Sequence, residues 1–118
     1  MAVKEKNAIQ VKSYAFALRT IALYRHLTGK KREFVLSKQM LRSGTAIGVA
    51  VEEAIGRRSD PDFFAKMKRV HQETRETHYW LRLLRDTGFL EKNEAASILS
   101  DCDELLKLSG SVMKAMKK

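Results

Sequence analysis

Residues 60–84 read Asp-Pro-Asp-Phe-Phe-Ala-Lys-Met-Lys-Arg-Val-His-Gln-Glu-Thr-Arg-Glu-Thr-His-Tyr-Trp-Leu-Arg-Leu-Leu. Within this stretch Phe63, Met67, Val70, Thr74, Thr77, Leu81 and Leu84 follow one another at alternating steps of four and three. That alternation sets all of them along one stripe of an α-helix, whereas a strand repeats every two residues and cannot align them. A shorter apolar stripe, Tyr79, Trp80 and Leu83, projects away from the first. A helix with two apolar faces sits between two partners, and the second stripe is the candidate oligomer interface. No catalytic motif accompanies the pattern.

Outward from this segment, further helices are expected on both sides. The first is predicted over about Asn7 to Leu27, with Val11, Ala15, Leu18 and Ala22 on one stripe and Phe16, Leu23 and Leu27 on another. Thr28-Gly29 ends it, glycine being the residue that tolerates the left-handed position after a helix, and Lys30-Lys31-Arg32 forms a basic loop. The second spans about Phe34 to Ile55, with Leu36, Met40, Ile47, Val51 and Ala54 as its core stripe. Ser43, Gly44, Ala46, Gly48 and Ala50 make its middle small. Glycine inside a helix costs roughly 1 kcal/mol against alanine. The expected offset is close packing of a neighbour, with bulky side chains of helix three filling the shallow surface. Arg42, Glu52 and Glu53 rule out a membrane helix here.

Gly56 to Pro61 is a turn, with Asp60 and Pro61 matching an N-cap followed by proline. Gly88 stops helix three. The fourth helix is predicted over about Lys92 to Met116, carrying Ile98, Cys102, Leu105, Val112 and Met116, with Lys114, Lys117 and Lys118 favouring its C-terminal end. Four long helices joined by short turns predict an all-α, antiparallel up-down-up-down four-helix bundle, one domain over residues 1–118.

Composition agrees with that class. The chain has 118 residues, 44% hydrophobic, with one proline and six glycines, which describes a folded and not a disordered protein. The start has no apolar run like that of a signal peptide, and no stretch approaches membrane-spanning length. The single Cys102, in a helical apolar pattern, reads as a small buried hydrophobe. Cytoplasmic location is the expectation. Net charge is +9, all of it in residues 1–88, which hold 18 Lys/Arg against 9 Asp/Glu; residues 89–118 hold 5 of each. Such a bias favours polyanionic partners.

Several motifs also bear on identity. Leu41-Arg42-Ser43-Gly44-Thr45, Ile47-Gly48, Val51-Glu52-Glu53-Ala54, Ser59, Asp62-Phe63, Glu73, Glu76-Thr77 and Tyr79-Trp80-Leu81 resemble the four-helix bundle proteins encoded within intervening sequences of bacterial 23S ribosomal RNA genes. The accessory variability proteins of diversity-generating retroelements look like relatives of that family. The resemblance runs from about Ser13 to Leu106. It implies a ring-like homopentamer and, in the retroelement relatives, a basic surface that contacts nucleic acid and a reverse transcriptase. Ala46 and Ala50 depart from the family, which usually has Ser and Asn there.

Site chemistry follows from charge. The candidate nucleic-acid contacts are Lys30, Lys31, Arg32, Arg57, Arg58, Lys66, Lys68, Arg69, Arg82 and Arg85. With no aromatic-interleaved platform and no helix-turn-helix signature, binding is expected to engage phosphates without sequence preference. Glu53, Glu73, Glu76, Arg42 and Arg75 are expected to form ion pairs between helices two and three. His71 and His78 flank the core stripe of helix three, but neither Glu73 nor Glu76 has a histidine three residues on, so no metal and no cofactor is predicted. The one enzymatic alternative is a ribonuclease using Arg19 and His26, whose spacing matches HEPN-type bundle ribonucleases. The other alternative is a scaffold that meets only protein partners, such as a reverse transcriptase.

Overall fold

The computed structural model describes residues 3–116, with side chains from residue 8 onward. Lys117 and Lys118 lie outside the described residues. The chain forms α1 (Val3–Gly29), α2 (Leu36–Ile55), α3 (Asp60–Asp86) and α4 (Lys92–Met116). Consecutive helices lie side by side and α4 returns to α1, so each helix has two neighbours; the diagonal pairs do not meet among the described residues.

Each neighbouring pair is antiparallel. As α3 advances from Lys66 to Thr77, its partners on α2 retreat from Glu53 to Ser43. Likewise Gln10 reaches Glu52 while Thr20 meets Gly44, and His71 bonds Ser109 while His78 meets Asp103. The result is a rod of 45 × 21 × 19 Å, about one helix long.

The stripe that decides the fold is buried in full: all seven predicted residues of α3 face the core. On α4, Ile98, Cys102, Leu105 and Val112 are buried, and Met116 is half-buried. The Cys102 thiol donates to the Thr74 carbonyl at 3.4 Å, and burial, with Asp103 and Asp101 nearby, pushes its pKa up to about 12. It is an inert core residue. On α2, Met40, Ile47, Val51 and Ala54 are buried, together with Ala50, while Leu36 is half-buried.

Helix α1 corrects the sequence expectation. The buried stripe is Ile9, Ser13, Phe16, Thr20, Leu23 and Leu27, whereas Val11 and Leu18 are 66% and 54% exposed. Two hydroxyl residues can occupy the buried stripe because each bonds its own helix: Ser13 Oγ donates to the Gln10 carbonyl and Thr20 Oγ1 to that of Ala17. The glycines of α2 also face α1 and not α3. A Cβ at Gly44 would stand 2.7 Å from Thr20 Cγ2, and one at Gly48 would stand 3.7 Å from the Ser13 carbonyl. The α3 side of this small segment is met by a hydroxyl pair, with Thr77 Oγ1 donating to Ser43 Oγ at 2.7 Å.

Helix ends differ from expectation by small amounts with clear causes. Ser59, not Asp60, caps α3: its side chain accepts from the Asp62 amide at 3.2 Å, with Pro61 in the first turn. Helix α2 starts at Leu36, two residues later than expected, because Glu33 takes over the cap. One Glu33 oxygen accepts from the amides of Val35 and Leu36 at 3.1 and 2.9 Å, and the other from Ser37 at 2.7 Å. Ser37 Oγ returns a bond to the Glu33 carbonyl at 2.8 Å. Burial pushes the Glu33 carboxyl up, but the three backbone donors outweigh it and hold the group below the ordinary glutamate value.

A depressed carboxyl stabilises the fold above its unfolded pKa and loses that contribution as pH falls through its folded value. Glu33→Gln should therefore destabilise the bundle by about 1–2 kcal/mol near neutrality. The gap from wild type should close as pH drops below about 4. Thermal denaturation across a pH series measures both.

Candidate nucleic-acid interface

Antiparallel helices bring alternate turns to the same end of the rod. Lys30, Lys31 and Arg32 therefore share one end with Arg82 and Arg85, near the C-terminus of α3. Arg57 and Arg58 occupy the other end, where Lys66, Lys68 and Arg69 begin α3. The ten sequence candidates form two groups, not one surface.

Pairing then separates the members of each group. Lys66 Nζ is 3.5 Å from Glu53 Oε1, and Arg69 is 3.7 Å from Glu53 and 3.8 Å from Glu73. Arg42 bonds Glu76 and lies 3.6 Å from Glu73, and Trp80 Nε1 donates to Glu76 at 3.3 Å. These residues form a continuous ladder along the α2–α3 seam. Arg75, expected in this ladder, is absent from it because it lies on the opposite flank of α3, toward α4. Arg85 is held by Asp86 at 2.7 Å, which raises its pKa and lowers that of Asp86.

Cations without a carboxylate partner among the described residues include Lys30, Lys31, Arg32, Arg57, Arg58, Lys68, Arg75, Arg82 and Lys114. Three of them rest on aromatic rings: Arg57 on Phe63 at 4.8 Å, Arg32 on Phe34 at 5.4 Å and Arg82 on Tyr79 at 5.7 Å. The end with Arg57 and Arg58 also carries Asp60 and Asp62, the Arg58 amide donating to Asp62 at 3.2 Å; beyond these acids Lys68 and Arg75 line one groove of α3, and Lys114 is exposed on α4. Sequence reasoning missed Arg75 and Lys114. The helical step of seven from Lys68 to Arg75 is the signal that identifies the former.

The predicted interface stripe is graded in exposure. Tyr79 is 48% exposed, whereas Trp80 and Leu83 are half-buried. Trp80 packs on the core and meets Tyr79 edge-on at 5.2 Å. A second apolar patch, unexpected from sequence, consists of Val11, Tyr14 and Leu18 on α1 with Val49 on α2.

Arg19 and His26 line one cavity of about 300 Å³ between α1 and α4, together with Glu94. Arg19 is engaged there, donating to Asp101 at 2.8 Å and to Ser97 at 2.8 Å. His78 Nε2 stands 3.1 Å from Asp103, and His71 bonds Ser109. Among the described residues no three His, Cys, Asp or Glu side chains are placed to hold a metal ion. None of the described helices is long and apolar enough to cross a membrane.

The family model for 23S rRNA-intervening sequence proteins matches residues 5–111. The chain belongs to that family. A solved structure from Bacteroides thetaiotaomicron, a protein of unknown function from the S23 ribosomal protein family, is similar to it at 41% identity. The alignment covers 93% of this chain and 98% of that one, with a TM-score of 0.92. Comparison with curated proteins gives no match.

Arg42, Glu73, Glu76 and Trp80, among the residues that carry the resemblance in sequence, all belong to the seam ladder. Among the described residues Glu73 Oε1 is buried without a hydrogen bond, with Arg42 at 3.6 Å, while Arg69 stands 3.8 Å from Oε2. Arg42→Ala should cost about 1–2 kcal/mol, more than an exposed ion pair normally contributes, because it strands that oxygen. Adding Glu73→Gln to it should recover part of the loss in chemical denaturation. Equal stability of the two variants would refute the arrangement.

Proposed function

We propose that this protein is a non-enzymatic, oligomeric binding protein that associates with RNA or DNA through a basic surface. The observation that carries this reading is the pair Lys68 and Arg75, exposed on one flank of α3 with no carboxylate partner among the described residues, on the same helix whose other flank is neutralised. Carboxylates neutralise the α2–α3 seam and leave the Lys68–Arg75 flank of α3 to attract phosphates. Protein-only scaffolding, with a reverse transcriptase as one candidate partner, would need no such field.

Assembly follows from the two apolar patches. They lie on different seams of the bundle, one along α1 and α2 with Tyr14 and Val49, the other on α3 where Trp80 meets the α2–α3 ladder, so they are two distinct surfaces. Pairing two different patches is heterologous and closes a ring when the rotation per subunit fits. The number five comes from the family resemblance. A pentamer would gather about +45 (five times +9) on one particle and engage a polyanion at several points. The cavity of Arg19, His26 and Glu94 gives the ribonuclease alternative its one supporting observation. Against it, Arg19 is already bound by Asp101 and Ser97.

Fluorescence anisotropy with a mixed-sequence RNA should report micromolar or tighter binding at about 50 mM salt, falling steeply as salt rises. Arg57→Ala with Arg58→Ala should reduce the log–log slope by roughly 1.4 to 1.8 without unfolding the bundle. No binding at low salt would end the nucleic-acid reading, and His26-dependent cleavage of the RNA would replace it with the enzymatic one.

Light scattering should give about 68 kDa, five times the 13.5 kDa chain, at micromolar concentration. Leu18→Glu should lower that mass. A wild-type monomer would refute the assembly, and a dimer only its number.

A further inference from the structure

We propose that the groove between α3 and α4 seats one unpaired nucleobase of a single-stranded nucleic acid, with Lys68 and Arg75 holding the phosphates on either side. This deepens the nucleic-acid reading and rests on it. The groove is about 410 Å³, within the range of small-ligand sites, and is lined by Phe64, Lys68, His71, Gln72, Arg75 and Met113.

Each part of the site has a chemical use. Phe64 is half-buried, stands outside the core cluster and lines the groove. Such a ring is a stacking surface for any base. Lys68 and Arg75 are exposed, have no carboxylate partner among the described residues, and stand two helical turns apart, about 10.5 Å along α3. That leaves room for one nucleotide between them. Gln72, exposed between the two cations, offers both a donor and an acceptor at the lip.

His71 adds a fixed acceptor. Ser109 Oγ donates to the Leu105 carbonyl at 2.9 Å, so it accepts from His71 Nδ1–H at 2.8 Å. Nε2 is then the free, unprotonated nitrogen. Burial, with Arg75 beside it, lowers the histidine pKa and keeps the ring neutral at physiological pH. A neutral acceptor suits the amino group of a base and repels no cation of the groove.

The occupant follows from this combination. A duplex offers phosphates but keeps its bases paired and stacked, so it can use the cations and not Phe64. A single strand can use both. The groove lies on the first half of α3, away from Tyr79, Trp80 and Leu83, so occupation and assembly do not compete for residues.

The test compares short fluorescein-labelled single-stranded RNA, single-stranded DNA and a duplex by anisotropy across a salt series. Both single strands should bind tighter than the duplex. Phe64→Leu should weaken the single strands about tenfold while leaving the duplex unchanged. Lys68→Gln with Arg75→Gln should flatten the single-strand slope by roughly 1.4. Gln72→Glu, at an exposed position, should also weaken binding and guards against a folding defect in Phe64→Leu, with circular dichroism as the check. Single-strand binding that survives all groove variants but is lost in Arg57→Ala with Arg58→Ala overturns the groove and leaves the general reading intact. A duplex bound as tightly as the single strands overturns the base seat. Failure of the wild type to bind any of the three overturns both.

Discussion

The buried stripe of α3 fixes this molecule, and the decisive constraint is that its two flanks have different company. On the α2 side, Glu53, Glu73 and Glu76 stand within reach of Lys66, Arg69 and Arg42, and charge is cancelled along the seam. On the α4 side Asp103 meets His78, but the residues beside Lys68, His71 and Arg75 include Ser109, Gly110 and Met113, which carry no charge. The same helix therefore holds the bundle in register with one edge and presents uncompensated cations with the other. Exposed ion pairs contribute little each, but a ladder of them around the buried Glu73 oxygen penalises any slip of α2 against α3.

The α1–α2 contact supplies the second constraint. Thr20 occupies the space that a side chain at Gly44 would need, and the Ser13 backbone comes up against Gly48. This close approach commits α1 to burying Ile9, Phe16, Leu23 and Leu27. It leaves Val11, Tyr14 and Leu18 outside, where they form an apolar patch. The glycine content of α2 and the exposed patch of α1 are two consequences of one seam.

Much of this was legible in the residues. The α3 stripe could be read completely because its apolar and threonine positions follow a single unbroken period, and α4 was legible in its bounds for the same reason. Helix α1 misled because it carries two competing stripes, and apolarity alone favours Val11 and Leu18 over Ser13 and Thr20. Hydroxyls that bond their own helix carry no such cost, and only the neighbouring helix reveals which stripe is inside. The cap at Glu33 was hidden because its partners are backbone amides. The basic site was legible as composition but not as geometry: two lysines two residues apart, Lys66 and Lys68, look alike in sequence, and only the register of α2 gives one of them a carboxylate.

That pair offers the most direct test. Lysine acetylation by a small water-soluble reagent, read residue by residue by mass spectrometry, can be compared with and without bound single-stranded RNA. The account predicts that RNA protects Lys68 strongly and leaves the reactivity of Lys66, already paired with Glu53, nearly unchanged. Protection of Lys66 without Lys68, or of neither while RNA is bound, would contradict it.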